Sequence, residues 1–122
     1  MSALTEVIAV LEPLTWPIVG RLPANVTGIT LLVAVAKVER NPALPQQCRD
    51  WTLDVVVLSA LQAPEAADFE LEDAVDDVLD AIDAAQPLRW TTSERVVLDE
   101  KFNAHRISVV ITMQPPPEGA QP

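Results

Sequence analysis

Residues 71–83 read LEDAVDDVLDAID, and this stretch decides the fold. Wound as a helix, it puts Leu71, Val75, Val78 and Ile82 within about 40° of one line, with Ala74, Leu79 and Ala85 beside them. Asp73, Asp76, Asp77, Asp80 and Asp83 fall on the opposite side. Carboxylates at i,i+4 spacing repel one another and sit best in water or near cations. The segment is therefore expected to lay an apolar stripe on a core and to show an acidic face to solvent.

Four strands are expected to supply that core. ITLLVAVAKVE from Ile29, WTLDVVVLSAL from Trp51, SERVVLDE from Ser93 and KFNAHRISVVITM from Lys101 are rich in β-branched residues and bounded by Pro, Asn or Asp clusters. Ahead of them, Leu4, Val7, Ile8 and Leu11 recur at helical spacing, with Ser2 placed to cap the first turn and Pro13 placed to end or bend the helix. The predicted class is α+β: a small, mostly antiparallel four-stranded sheet, in chain order α-β-β-α-β-β, with the helices packed on one face.

Length and composition bound the function. A chain of 122 residues makes one domain of ordinary size, expected over residues 1–113. The end, QPPPEGAQP at residues 114–122, has no apolar periodicity and is expected to be an extended, mobile tail. Lys37, Glu39 and Arg40 close the longest apolar run well short of the ~20 residues a spanning helix needs, so no membrane association is expected. Glu6 and Glu12 interrupt the only candidate for a secretory leader, and the single Cys48 has no partner for an intramolecular disulfide; the expected compartment is the cytoplasm. Eighteen acidic residues against eight basic ones give a net charge of −10, and the basic residues are scattered, which argues against direct binding to nucleic acid phosphates.

Candidate chemistry is sparse. Asp76, Asp77 and Asp80 spell DDVLD, similar to the aspartate-rich DDxxD pattern that holds magnesium and a diphosphate in prenyl-transferring enzymes. Those enzymes need a second acidic motif and a deep all-helical cavity, so the segment reads as a solvated helix face with no metal and no cofactor. His105 alternates with Ile107, Val109 and Ile111 and reads as a hydrogen-bonded strand residue. Ser59, Ser93 and Ser108 lack a nucleophile elbow, and Gly20, Gly28 and Gly119 make no phosphate-cradling loop. Trp16, Trp51 and Trp90 open apolar segments and read as rim-of-core residues. No enzyme activity is expected.

Two connectors stand out. Residues 13–25 hold Pro13, Pro17 and Pro23 with Trp16 and Ile18, a compact link pinned by its apolar side chains. Glu39 to Asp50 reads ERNPALPQQCRD, about twelve residues where a two-residue hairpin turn would do. Arg40 and Arg49 bracket it, and Gln46 and Gln47 offer uncharged donors and acceptors between them. These four residues are the expected partner-binding set.

The amino-terminal helix leading to Leu22-Pro23, the first strand, the Pro-containing loop into CRDWTLDVVVLS, the acidic helix DFELEDAVDDVLDAID, a Trp-containing strand and the run DEKFNAHRISVVITM together resemble the tail terminator (tail completion) proteins of long-tailed bacteriophages, especially those infecting actinobacteria. The resemblance covers about residues 2–113. It implies an α+β virion subunit, assembled in the host cytoplasm, that forms a homo-oligomeric ring of about six in the neck region of the tail. Such a ring would cap the tail tube protein, stop tube polymerisation and meet the head-side connector protein. At about −60 in total, it would let DNA pass through its lumen without specific binding. Two other readings stay open: a neighbouring head-to-tail connector or tail-assembly protein, and a small regulatory ligand-binding α+β domain.

Overall fold

The computed structural model describes residues 2–43 and 48–114. Helix α1, Ala3–Leu11, starts where Ser2 Oγ accepts the Thr5 N–H at 3.1 Å, and it ends in a single 3-10 turn, Glu12–Leu14, that contains Pro13. Thr15 then turns the chain at φ 66° into strand β1, Ile18–Val19. Strands β2, Thr30–Arg40, and β3, Arg49–Leu58, form a hairpin. Helix α2, Pro64–Asp83, follows, with Pro64 at its first turn, where the missing N–H costs no hydrogen bond. Strands β4, Arg89–Leu98, and β5, Phe102–Met113, form a second hairpin.

The sheet is mixed and five-stranded, in the order β1-β2-β3-β5-β4, which corrects the expected four-stranded count. β1 runs parallel to β2 and pairs only at Leu31 and Leu32. A two-residue strand beside prolines has no periodicity to read, because the register of its neighbour makes it a strand. The α+β class and the placement of both helices on one face are as expected. Strand bounds shift where polar residues extend the ladder: β3 begins at Arg49 rather than Trp51, and β4 at Arg89 rather than Ser93. β4 ends sooner, because Asp99 and Glu100, at φ 53° and 52°, make a tight turn closed by the Lys101 N–H on the Leu98 carbonyl at 3.0 Å.

The main core lies between the sheet and the helices. Val7 and Leu11 of α1 and Leu71, Val75, Val78 and Ile82 of α2 are buried against Leu31, Val33, Leu53, Val55, Val57, Ile107, Val109 and Ile111. The aspartates opposite the α2 stripe are all exposed. Each aliphatic side chain fully removed from water there stabilises the fold by about 1.5–3 kcal/mol. Trp16, Ile18 and Trp51 pack on the edge of this core, as expected, while Trp90 is 37% exposed and donates its indole N–H to Asp83 at 3.1 Å.

The opposite sheet face is covered only at one end. Val56, Leu58, Phe102 and Ala104 form a small cluster there with Val26 of the β1–β2 connector. Lys101 ties that connector down by donating to the Ala24 carbonyl, with its ammonium 4.9 Å from the Phe102 ring centre. Gln46 and Gln47 of the expected contact set, and the proline-rich tail from residue 115, lie outside the described residues. Among the described residues no helix is long and apolar enough to cross a membrane.

Candidate functional site

Two places on the surface gather charge, at diagonally opposite corners of the sheet. The first is the free end of the β2–β3 hairpin. β2 continues to Arg40 and β3 resumes at Arg49, so the connector is residues 41–48, shorter than the twelve expected from Glu39 to Asp50. Its ends are fastened: the Asn41 N–H donates to the Cys48 carbonyl at 2.9 Å, and Asn41 Oδ1 accepts the Ala43 N–H at 3.0 Å. Asp50 is the anchor. Its carboxylate accepts from Thr112 Oγ1 at 2.6 Å and from Asn41 Nδ2 at 3.1 and 3.2 Å, with the Arg89 guanidinium 3.9 Å away. The Thr112 hydroxyl, Asn41 and Arg89 together hold this carboxyl below its usual range, against the opposing effect of partial burial.

The β2–β3 register sets Arg40 directly opposite Arg49. Both are strand residues, on the same sheet face as Val38 and Trp51, and both are exposed. Directly opposed like charges destabilise a ladder. Among the described residues neither guanidinium meets a carboxylate, in contrast to Lys37 with Glu39, Arg89 with Asp50, Arg95 with Asp68 and Arg106 with Glu94. Every residue of β2 from Ala34 to Arg40 is exposed, because β1 covers only the strand's other end. The register slips between Val35 and Lys37, a bulge of the kind that guards an open edge.

The second place is a groove of ≈ 500 Å³ between α2 and the β4–β5 hairpin. Leu71 and Val75 form its floor, and Glu72 and Asp76, one turn apart on α2, stand on its rim. On the sheet side, Ser93 Oγ and His105 Nδ1 are 2.9 Å apart. Arg95 Nε donates to Asp68 at 2.6 Å, and its other nitrogens reach the Val96 carbonyl at 2.7 Å and Asn103 Oδ1 at 2.9 Å. Behind Arg95, buried Asn103 donates its amide to the Leu61 and Gln62 carbonyls at 3.0 and 3.1 Å. Burial, and then the neighbouring Arg95 cation, push the His105 imidazole below its ordinary value of 6.5.

Ser93 and His105 touch, but among the described residues no third group orients the imidazole from its other nitrogen, which a nucleophile-base pair requires. Nor does any group of three or more His, Cys, Asp or Glu side chains among the described residues stand where it could hold a metal ion.

Of the four residues expected to bind a partner, the fold brings Arg40 and Arg49 side by side. Asp50, Asn103 and the α2 groove escaped the sequence reading. A polar Asn in the run FNAHRISVVI was the one available signal, since it shares the buried face with Ile107 and Val109 and must be hydrogen-bonded there. Compared with known proteins, the chain matches no family model, and no curated protein resembles it closely enough to count as a relative.

Proposed function

We propose that this chain is a tail terminator of a long-tailed bacteriophage, a structural subunit that closes into a ring of about six on the head-proximal end of the tail tube, ends its polymerisation and joins it to the head connector. The observation that carries this reading is the chain order over residues 2–113, a helix, a strand pair, an acidic helix and a second strand pair, in the texture that resembles those proteins. The fold supports it in two ways. Among the described residues both sheet edges are open, β4 along its length and β2 beyond Val33, as a subunit with neighbours on two sides would need. The hairpin corner also presents an arginine pair that meets no carboxylate among the described residues. A net charge of −10 per copy suits a lumen through which DNA must slide.

Complementation tests this function. In a phage lacking the gene, tails should be irregular in length and unjoined to heads, and supplying this chain should restore uniform tails and infectivity. Uniform, joined tails in the deletion phage would overturn the proposal.

A further inference from the structure

We propose that the Arg40–Arg49 corner of one copy docks in the α2 groove of the next, the two guanidiniums meeting the carboxylates of Glu72 and Asp76. This contact rests on the ring-forming role above and names the surface that would close the ring. The two partners match in spacing. Opposed strand residues hold their Cβ atoms ~4.5–5.5 Å apart, and residues at i and i+4 on a helix hold theirs ~5–6 Å apart. Each pair repels itself within its own chain, and among the described residues neither Arg40 and Arg49 nor Glu72 and Asp76 has an ion-pair partner. Docking would turn two like-charge contacts into two opposite-charge ones.

Position agrees with charge. Beside the arginines, Val38 is 42% exposed, which leaves apolar surface available at the corner. The corner belongs to the β2 edge and the groove to the β4 edge, at opposite sides of the sheet. Along the strands they are also apart: Arg49 pairs with Met113 of β5, while His105 of β5 lines the groove eight residues away, about 26 Å at ~3.3 Å per residue. No copy can satisfy its own groove with its own corner. A contact between two different surfaces is head-to-tail, and head-to-tail contacts close into rings when the rotation permits.

The test is sedimentation of the full chain over rising concentration at low salt, with circular dichroism as the control for folding. Wild type should associate, and should do so less as salt rises. Arg40→Glu with Arg49→Glu should weaken association at least about tenfold, and so should Glu72→Arg with Asp76→Arg. Mixed in equal amounts, the two double variants should associate again, because each then offers the charge the other lacks. Should a reversed variant fail to fold, Arg40→Gln with Arg49→Gln and Glu72→Gln with Asp76→Asn take its place, with the same expected loss. Association of either double variant at wild-type strength would overturn the contact, as would failure of the mixture to recover. So would a wild type that stays monomeric up to about millimolar concentration, where contacts of ~4 kcal/mol are populated. Tube capping that survives both reversals would remove this contact and leave the terminator function standing. Association as expected in a chain that caps no tube would remove that function and keep the contact.

Discussion

Val33 and Val55 face each other across β2 and β3 at 2% and 0% exposure, whereas Val38, farther along the same strand and on the same face, is 42% exposed. The residue type is constant and the cover differs. α2 and α1 lie over Val33 and Val55, and Val38 lies outside the core they cover. Charge divides along the same line. Among the described residues, every buried side-chain polar atom of the helix-covered centre has a partner, while Arg40 and Arg49 at the corner stand opposed with no carboxylate beside them. The centre is satisfied within one chain, and the corner is where the proposed contact between copies would act.

The largest break in this comparison should come from the centre. Val78 is fully buried on the α2 stripe, and Val78→Asp would place an unpaired charge there at a cost of about 3–5 kcal/mol, a large share of the stability of a domain this size. A urea melt should show the midpoint falling by that amount, and circular dichroism a partly unfolded subunit if the domain lies at the low end of ordinary stability.

Asn103→Leu should come next. It removes the amide that satisfies the Leu61 and Gln62 carbonyls and an Arg95 nitrogen, and the urea midpoint should fall by an amount equal to about 2 kcal/mol. A change near zero would show that water replaces the amide freely.

Asp50→Ala tests the root of the corner. Thr112 and Asn41 lose their shared acceptor, at an expected cost of about 1 kcal/mol, with hydrogen exchange rising at the hairpin end and not beneath α2. Uniformly faster exchange would mean that corner and centre unfold as one unit.

Acid should separate the two regions further. His105 has its folded value lowered, so the unfolded chain binds its proton more readily and stability is lost as pH falls below the ordinary value of 6.5. Asp50 is also lowered, but for a carboxyl the loss begins only as pH falls below 3.8. Urea midpoints of wild type should therefore drop between about pH 7 and about pH 5, and His105→Gln should flatten that slope while Asp50→Ala does not.

The smallest effect belongs to the outer side of α2. Asp80 is exposed, and Asp80→Asn should leave stability within about 0.5 kcal/mol. Equal damage from Asp80→Asn and Val78→Asp in urea melts would mean that the helix is rotated from the orientation described.

What the sequence revealed, and what it hid, follows the same division. The α2 stripe, the β-branched runs of β2, β3 and β5 and the Ser2 cap were legible because burial imposes a period or a cap imposes a residue type. β1 and the start of β4 were hidden: Arg89, Trp90, Thr91 and Thr92 lie at a sheet edge, where no burial pattern is required. Arg40 and Arg49 could be picked out as rare cations in an acidic chain. Their placement side by side could not, because it depends on a bulge between Val35 and Lys37 that shifts the register. The groove was invisible for a plainer reason: Asp68, Arg95 and His105 come together only through the pairing of β4 with β5 under α2.

The most direct measurement is cryo-electron microscopy of the purified chain incubated with polymerising tail tube protein. Class averages should show tubes closed at one end by a ring of about six copies, with the hairpin corner of each copy against the α2 groove of the next. Tubes that grow without end density, with this chain left free in solution, would contradict the account.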